Sequence, residues 1–268
     1  MKLSEFYKVA DTLAPKTLSE EYCAKYGAYD NSGILVDTGA DVKKALFSLD
    51  LSFSAVKKAI EIGANVIVTH HPAIYGKISE IQINAFQPLG EKLIKCIQNG
   101  ISVICMHLNL DSADGGIDES LQEGVVKVCG EKKGSTAIMH SLTNGGYGRA
   151  YEVTEITFND LVKGLEKEFA TNQTVAYDNG VKTIVKAASF CGAGADEEAV
   201  AFAVEQGAQV LISSDFKHHV ITLALEKGLS VIALTHYASE NYGFKKYYEK
   251  IRQKVEVTCV YHTDAALI

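Results

Sequence analysis

Two adjacent imidazoles, His70 and His71, stand where a short apolar run, Ala64-Asn65-Val66-Ile67-Val68, gives way to Thr69-His70-His71-Pro72. Neutral imidazole and carboxylate are the ligands of choice for zinc, iron and manganese. Other residues of this type stand at the ends of other apolar runs: His107 and Asp111, His218 and His219, and His236 with Glu240. A mixed set of five or more such donors exceeds what one tetrahedral ion uses. Two ions a few Å apart, bridged by a carboxylate and a water, would use them all. Neighbouring side chains on extended backbone point in different directions, so His70 and His71 suit two separate ions. The chemistry expected is hydrolytic, with a hydroxide held on the metal attacking an electrophilic carbon or phosphorus and His107 or His218 relaying protons.

Taken singly, His107, His218 and His219 read equally well as hydrogen-bonded structural residues, and His140 and His262 show no partner pattern. Asp111 could serve only as a helix cap for the segment after Gly115-Gly116. The combination of His70-His71 with His236-x-x-x-Glu240 is harder to assign to structure alone, because both follow apolar runs in corresponding parts of the chain.

The elements that must position these residues follow from apolar periodicity. Leu3, Phe6, Tyr7, Ala10 and Leu13 mark a helix, and the turn Tyr29-Asp30-Asn31-Ser32-Gly33 feeds a strand, Ile34 to Val36. In that turn Asp30 and Asn31 suit bonds to their own backbone, and a functional role for them depends on the fold placing the turn near the histidines. Val42 to Leu49 reads as a strand, Ser52 as the cap of a helix with Val56, Ala59 and Ile60 on one face, and Ala64 to Val68 as the strand that delivers the histidine pair. A helix with Leu89, Leu93, Cys96 and Ile97 on one side leads to the strand Ser102 to Met106. Strands alternating with helices favour parallel pairing, and functional groups then gather beyond the carboxyl ends of the strands.

The scheme recurs. Glu61 to Val68 aligns with Glu205 to Ile212, and Gly100 to Met106 aligns with Gly228 to Leu234. The chain therefore reads as α/β, with two similar lobes of mixed, largely parallel sheets over 1–130 and 131–268, the first completed in part by C-terminal residues. Extra structure is expected around Ile74 to Phe86. If the lobes face each other, His70, His71, Asp111, His236 and Glu240 can converge in the cleft. Gly192-Ala193-Gly194 after the strand Ile184 to Phe190 lacks the full phosphate-loop pattern and reads as a tight turn able to contact an anion.

Composition narrows the function classes. A chain of 268 residues buries roughly three quarters of its extended surface on folding, so no covalent staple is required. Six cysteines without C-x-x-C spacing suit a reducing compartment. No apolar run approaches the ~18 residues of a membrane span, and residues 1–16 do not read as a secretory leader. A cytoplasmic protein without a membrane partner is expected. The net charge of -7, with both signs interspersed, argues against nucleic-acid binding.

Seven motifs in order resemble the NIF-three-like proteins, also called dinuclear-metal-centre proteins, which carry the name GTP cyclohydrolase 1 type 2 homologues. They are Asp30-Asn31-Ser32-Gly33, Val68 to Pro72, His107 to Asp111 with Gly115-Gly116, Gly146 to Arg149, Cys191 to Gly194, Ser214 to His219, and His236 to Glu240. The resemblance covers nearly the whole chain. It implies two α/β lobes, two divalent metal ions (zinc, iron or manganese) lodged between them, and a homohexamer built as a dimer of trimers. It also implies ligation by His70 and His71, a bridging Asp111, completion by His236 and Glu240, and His107 beside the ions. The chain departs from the family in Tyr29, where Trp is common, and Leu108, where Thr is usual.

The function expected is therefore that of a metal-dependent hydrolase acting on a nucleotide or phosphoester. The alternative is a non-enzymatic metal store or ring-shaped adaptor, which a protein-saturated metal site would favour. Binding to single-stranded DNA that weakens with salt is expected to be absent in a filter-retention assay, and its presence would return nucleic acid as a ligand.

Overall fold

A computed structural model describes residues 1–76, 78, 80–83 and 88–267. The chain begins with α1 (Leu3–Leu13), α2 (Lys16–Tyr26), β1 (Gly33–Val36), β2 (Lys44–Ser48), α3 (Phe53–Ile62), β3 (Val66–Thr69), α4 (Leu89–Gln98), β4 (Ser102–Cys105) and α5 (Leu108–Ser112). It continues with α6 (Ile117–Cys129), β5 (Lys132–Ser141), β6 (Gly146–Ile156), α7 (Phe158–Glu168), β7 (Val175–Tyr177), β8 (Ile184–Ser189) and α8 (Glu197–Glu205). The last elements are β9 (Val210–Ser213), α9 (His218–Glu226), β10 (Ser230–Ala233), α10 (His236–Arg252), β11 (Thr258–Tyr261) and a 3-10 turn, Ala265–Leu267. The extra structure expected around Ile74 to Phe86 lies in part outside the described residues. Among the described residues no helix is long and apolar enough to cross a membrane.

Two compact units form: Met1–Ala113 with Phe244–Leu267, and Asp114–Gly243. The first holds a sheet in the order β1-β4-β3-β2-β11, parallel except for β1 at its edge. Leu46, Ile67 and Val103 from its strands meet Val56, Ala59, Leu93 and Cys96 from α3 and α4 in one buried core. Local chemistry sets the limits of α3, since the Ser52 hydroxyl accepts the Ala55 amide at 3.1 Å. Gly63, at φ 66°, ends the helix in the left-handed conformation that suits glycine. α2 escapes apolar periodicity because it is polar along most of its length and buries only Leu18, Ser19 and Tyr22.

The second unit holds a sheet in the order β5-β6-β8-β9-β10-β7. Its core, β8, β9 and β10, is parallel, and β7 lies antiparallel at one edge as β1 does in the first sheet. The β5–β6 hairpin is added at the other edge and makes antiparallel pairings the majority here, three to two, whereas the first sheet keeps the parallel majority expected. The repeat seen in sequence is a structural one: Val66 pairs with Ser102 as Val210 pairs with Ser230. The Asn65 side chain accepts the Lys43 and Lys44 amides, and the Gln209 side chain accepts those of Val185 and Lys186.

The first unit breaks off at Ala113, ahead of the residue-130 boundary expected from sequence, because α6 belongs to the second sheet. It packs on β6 and β8. Its buried Asp118 carboxylate accepts from the Arg149 guanidinium, the Gly148 amide at 2.9 Å and the Cys191 amide at 3.1 Å. Asp118→Ala leaves a buried cation and two amides without their acceptor, and a loss of about 3–5 kcal/mol is expected in urea unfolding. A loss below about 1 kcal/mol would show that the pair does not hold α6 to the sheet.

Candidate metal centre

In the first unit the carboxyl ends of β2, β3 and β4 assemble three imidazoles. The Leu49 carbonyl, just past β2, accepts both the His70 and His71 amides at 3.0 Å, and the Thr69 hydroxyl donates to the His71 carbonyl at 2.9 Å. That backbone clamp fixes the adjacent residues and brings their rings together, with centroids 4.9 Å apart, rather than turning them to opposite sides as extended backbone would. His107, just ahead of α5, brings a third ring, 5.2 Å from that of His70 and 6.1 Å from that of His71. One turn later Asp111 places Oδ1 3.4 Å from His70 Nε2. The residue that caps α6 is Gly116, so the reading of Asp111 as its cap falls away. His70, His107 and Asp111 each offer a ligand atom within 4.8 Å of the others. An ion held by His70 and Asp111 would therefore have the His107 ring at its side, close enough to exchange a proton with a bound group.

Each of these rings is held through Nδ1. His70 Nδ1 lies 2.7 Å from the Met106 carbonyl, which can only accept, so this nitrogen carries the proton. His71 Nδ1 lies 2.7 Å from Asp50 Oδ1, and His107 Nδ1 lies 2.7 Å from Asp30 Oδ1. Asp30 also accepts from the Ser19 and Ser32 hydroxyls at 2.5 and 2.6 Å. Burial pushes the Asp30 carboxyl up, but hydrogen bonds from His107, Ser19 and Ser32 outweigh it and hold the group well below the usual carboxylate range. With an ionised acceptor on Nδ1, the lone pair of the neutral ring sits on Nε2, the state that a metal requires.

The second unit repeats the device. α10 begins at His236, so His236 and Glu240 share a helix face. His236 Nδ1 lies 2.6 Å from Asp215 Oδ2 at the end of β9, and its Nε2 lies 3.0 Å from Glu240 Oε2. With the proton on Nδ1, two acceptor atoms face each other there, and either a second proton or a cation must lie between them. Gly192-Ala193-Gly194 is the tight turn expected, and Glu240 is what it accommodates: at φ 57°, a Cβ on Gly192 would collide with Glu240 Oε1. The turn is fixed by the Gly192 amide on the Ser239 hydroxyl at 3.2 Å and by the Tyr147 hydroxyl on the Cys191 carbonyl at 2.5 Å.

The remaining histidines stand elsewhere. His218 opens α9 with its side chain exposed, and the bonded chain Asp215–His236–Glu240 does not include it. His219 pairs with Glu197 on the surface at 2.8 Å, and His262 Nε2 lies 3.0 Å from the Ser54 hydroxyl. Sequence reading missed Asp50 and Asp215, although both stand at strand ends, where the signal lay. For Asp30 and Asn31, turn formation is the favoured reading of the sequence, with a functional role left to depend on the fold bringing the turn to the histidines, which it does. Asp30 does accept the Ser32 amide at 3.2 Å, but it orients His107 as well, and the Asn31 side chain donates to the Ile74 carbonyl at 2.8 Å.

Neutral nitrogens with fixed lone pairs beside buried carboxylates suit divalent first-row ions, so the residues present fit the metals expected from the sequence. Fold and donor set thus define an α/β protein whose parallel strands end in oriented histidine and carboxylate clusters. A family model described as Duf34/NIF3 (NGG1p interacting factor 3) matches residues 1–265, and the chain belongs to that family. It is similar to a Clostridium perfringens protein, at 28% identity over 96% of this chain and 93% of the relative. It is also similar to one from Methanocaldococcus jannaschii, at 29% identity over 97% and 98%. Both relatives bear the name GTP cyclohydrolase 1 type 2 homolog. Among solved structures, reduced HcgD from Methanocaldococcus jannaschii shares the fold at a TM-score of 0.80 and 27% identity, with 97% of each chain covered.

Because Asp30 titrates lower in the folded chain, its carboxylate stabilises the fold above the unfolded value of about 3.9, and that contribution is lost as pH falls toward the folded value. In chelator-treated protein, Asp30→Asn is expected to cost about 1–3 kcal/mol in urea unfolding at pH 7. The gap to wild type should narrow below about pH 4, and a gap independent of pH would contradict this role.

Proposed function

We propose that this chain is a metal-dependent hydrolase acting on a nucleotide or phosphoester, with His70, His71, Asp111, His236 and Glu240 as the ligands of two divalent ions. The observation that supports this most is the common orientation of four imidazoles, each with Nδ1 on a fixed acceptor, which turns Nε2 toward metal ligation at His70, His71 and His236 and toward proton transfer at His107. Histidines kept only for packing have no need of that uniformity. The names of the relatives agree with hydrolysis at an electrophilic carbon of a nucleotide. Zinc, iron and manganese all suit the donors.

Bound divalent ions would supply Lewis acidity and lower the pKa of a coordinated water. The chain's own residues would do the rest. Asp111 and Glu240 bring negative charge that offsets the ions. Asp30, Asp50 and Asp215 keep the rings aimed and raise their basicity. His107, partly exposed beside His70 and His71, can hold or pass a proton at Nε2 while Asp30 stabilises the charged ring. His218, exposed at the start of α9, is the weaker choice for that step.

Metal analysis of the purified protein should find about two ions per chain, with fewer in His70→Ala and His236→Ala. Against a panel of nucleotides and phosphodiesters, His107→Ala should retain metal and lose about 10²-fold or more in turnover. Wild type holding no more metal than the ligand variants would refute the metal centre. Full metal content without turnover of any compound would refute the hydrolase and leave a metal-binding protein.

A further inference from the structure

The turn ahead of β1 builds more than the support of His107. Its Asp30 and Ser32 hold the His107 ring and amide, at 2.7 and 3.1 Å, and its Asn31 side chain bonds the Ile74 carbonyl at 2.8 Å. One turn therefore fixes His107 and the loop carrying Tyr75, while itself carrying Tyr29. The two tyrosine rings stand in contact, with centroids 5.9 Å apart and planes tilted by 55°. The Tyr75 ring meets the His107 ring edge-on, with centroids 6.2 Å apart at 77°. Both tyrosines remain open to solvent, 55% exposed for Tyr29 and 64% for Tyr75.

Two large rings left in water at the rim of a histidine cluster, on segments pinned to each other, serve no core. A pair of side chains is also far smaller than the roughly 800 Å² per partner of a stable protein interface. Aromatic faces that stay exposed and fixed in place are the usual platform for a flat ring, because every heterocyclic base has a π-face to stack on them. The Tyr75 phenol, a donor at neutral pH, can reach a ring nitrogen or carbonyl at the edge of such a base.

We propose that Tyr29 and Tyr75 form a ring-binding subsite beside His107 that takes a planar nitrogen heterocycle of the purine type. The subsite selects a nucleotide over a simple phosphoester as the substrate. The link to turnover rests on the hydrolase reading above, whereas ring binding itself does not.

The chain contains no tryptophan, so Tyr75→Trp places a single indole reporter at the subsite. Guanosine should quench its emission saturably and bind at least about tenfold more tightly than ribose 5-phosphate. Adding Tyr29→Ala should weaken guanosine about tenfold, and Tyr29→Phe should leave it unchanged. Equal binding of the two probes, or indifference to Tyr29→Ala, overturns the proposal. So does a change of oligomeric state in Tyr29→Ala without an effect on guanosine, which would assign the rings to a subunit contact. Guanosine binding should survive chelator treatment, and Tyr29→Ala should hold as much metal as wild type. Loss of metal binding alone would thus sink the hydrolase reading and spare the subsite. Loss of guanosine binding with metal retained would sink the subsite alone.

Discussion

An imidazole donates a proton from one nitrogen and coordinates from the other, and the chemistry of this chain depends on which nitrogen does which. His70, His71, His107 and His236 all meet their fixed acceptors through Nδ1. For His70 the acceptor is the Met106 carbonyl; for the other three it is a carboxylate, Asp50, Asp30 or Asp215. A carbonyl cannot return a proton, and Asp30 is held ionised by three donors, so the preference is built into the fold. The cost of burying these polar groups is offset by the bonds that fix them.

The two units reach this arrangement from one parallel core by different routes. The ends of β4 and β10 correspond, and each supplies a histidine followed four residues later by a carboxylate: His107 with Asp111, and His236 with Glu240. The holder of His107 comes from the turn ahead of β1, whereas the holder of His236 comes from the end of β9. At the end of β3 stand His70 and His71, and at the corresponding end of β9 stand Ser214 and Asp215. A repeated scaffold has kept its strand register while its exits diverged. Such divergence is expected where the core is constrained by packing on both faces and the loops are not.

Much of the scaffold was legible in the sequence because apolar periodicity and glycine stops are local signals. β3, α3 and β4 align with their counterparts β9, α8 and β10 on residue pattern alone, and the histidines at their ends stand out as costly polar residues at the exits of apolar strands. The supporting residues could not be read in that way. Asp50 lies 21 residues from His71, Asp30 lies 77 from His107, and Asp215 lies 21 from His236, separations that only the sheet order closes. Local turn chemistry accounted for Asp30 and Asn31 well enough to hide their long-range bonds. The units divide at Ala113 rather than near residue 130 for a similar reason: α6 is amphipathic in sequence like any other helix, and its packing on β6 and β8, with Asp118 bound by Arg149, Gly148 and Cys191, assigns it to the second sheet. The aromatic pair Tyr29 and Tyr75 carries no periodic signal, since the rings meet across two loops.

The most direct test of the imidazole arrangement is a long-range nitrogen–proton NMR correlation of the histidine rings in ¹⁵N-labelled, chelator-treated protein, repeated after adding zinc. His70, His71 and His107 are expected as Nδ1–H tautomers with an unprotonated Nε2, and His236 as an Nδ1–H ring sharing a proton with Glu240 at Nε2 until zinc replaces it. Zinc should shift the Nε2 resonances of His70, His71 and His236 while leaving the Nδ1 protons in place. Protonation of His70 or His71 at Nε2 before zinc, or zinc leaving the Nε2 resonances of His70, His71 and His236 unmoved, would contradict the assignment of these three histidines as oriented metal ligands.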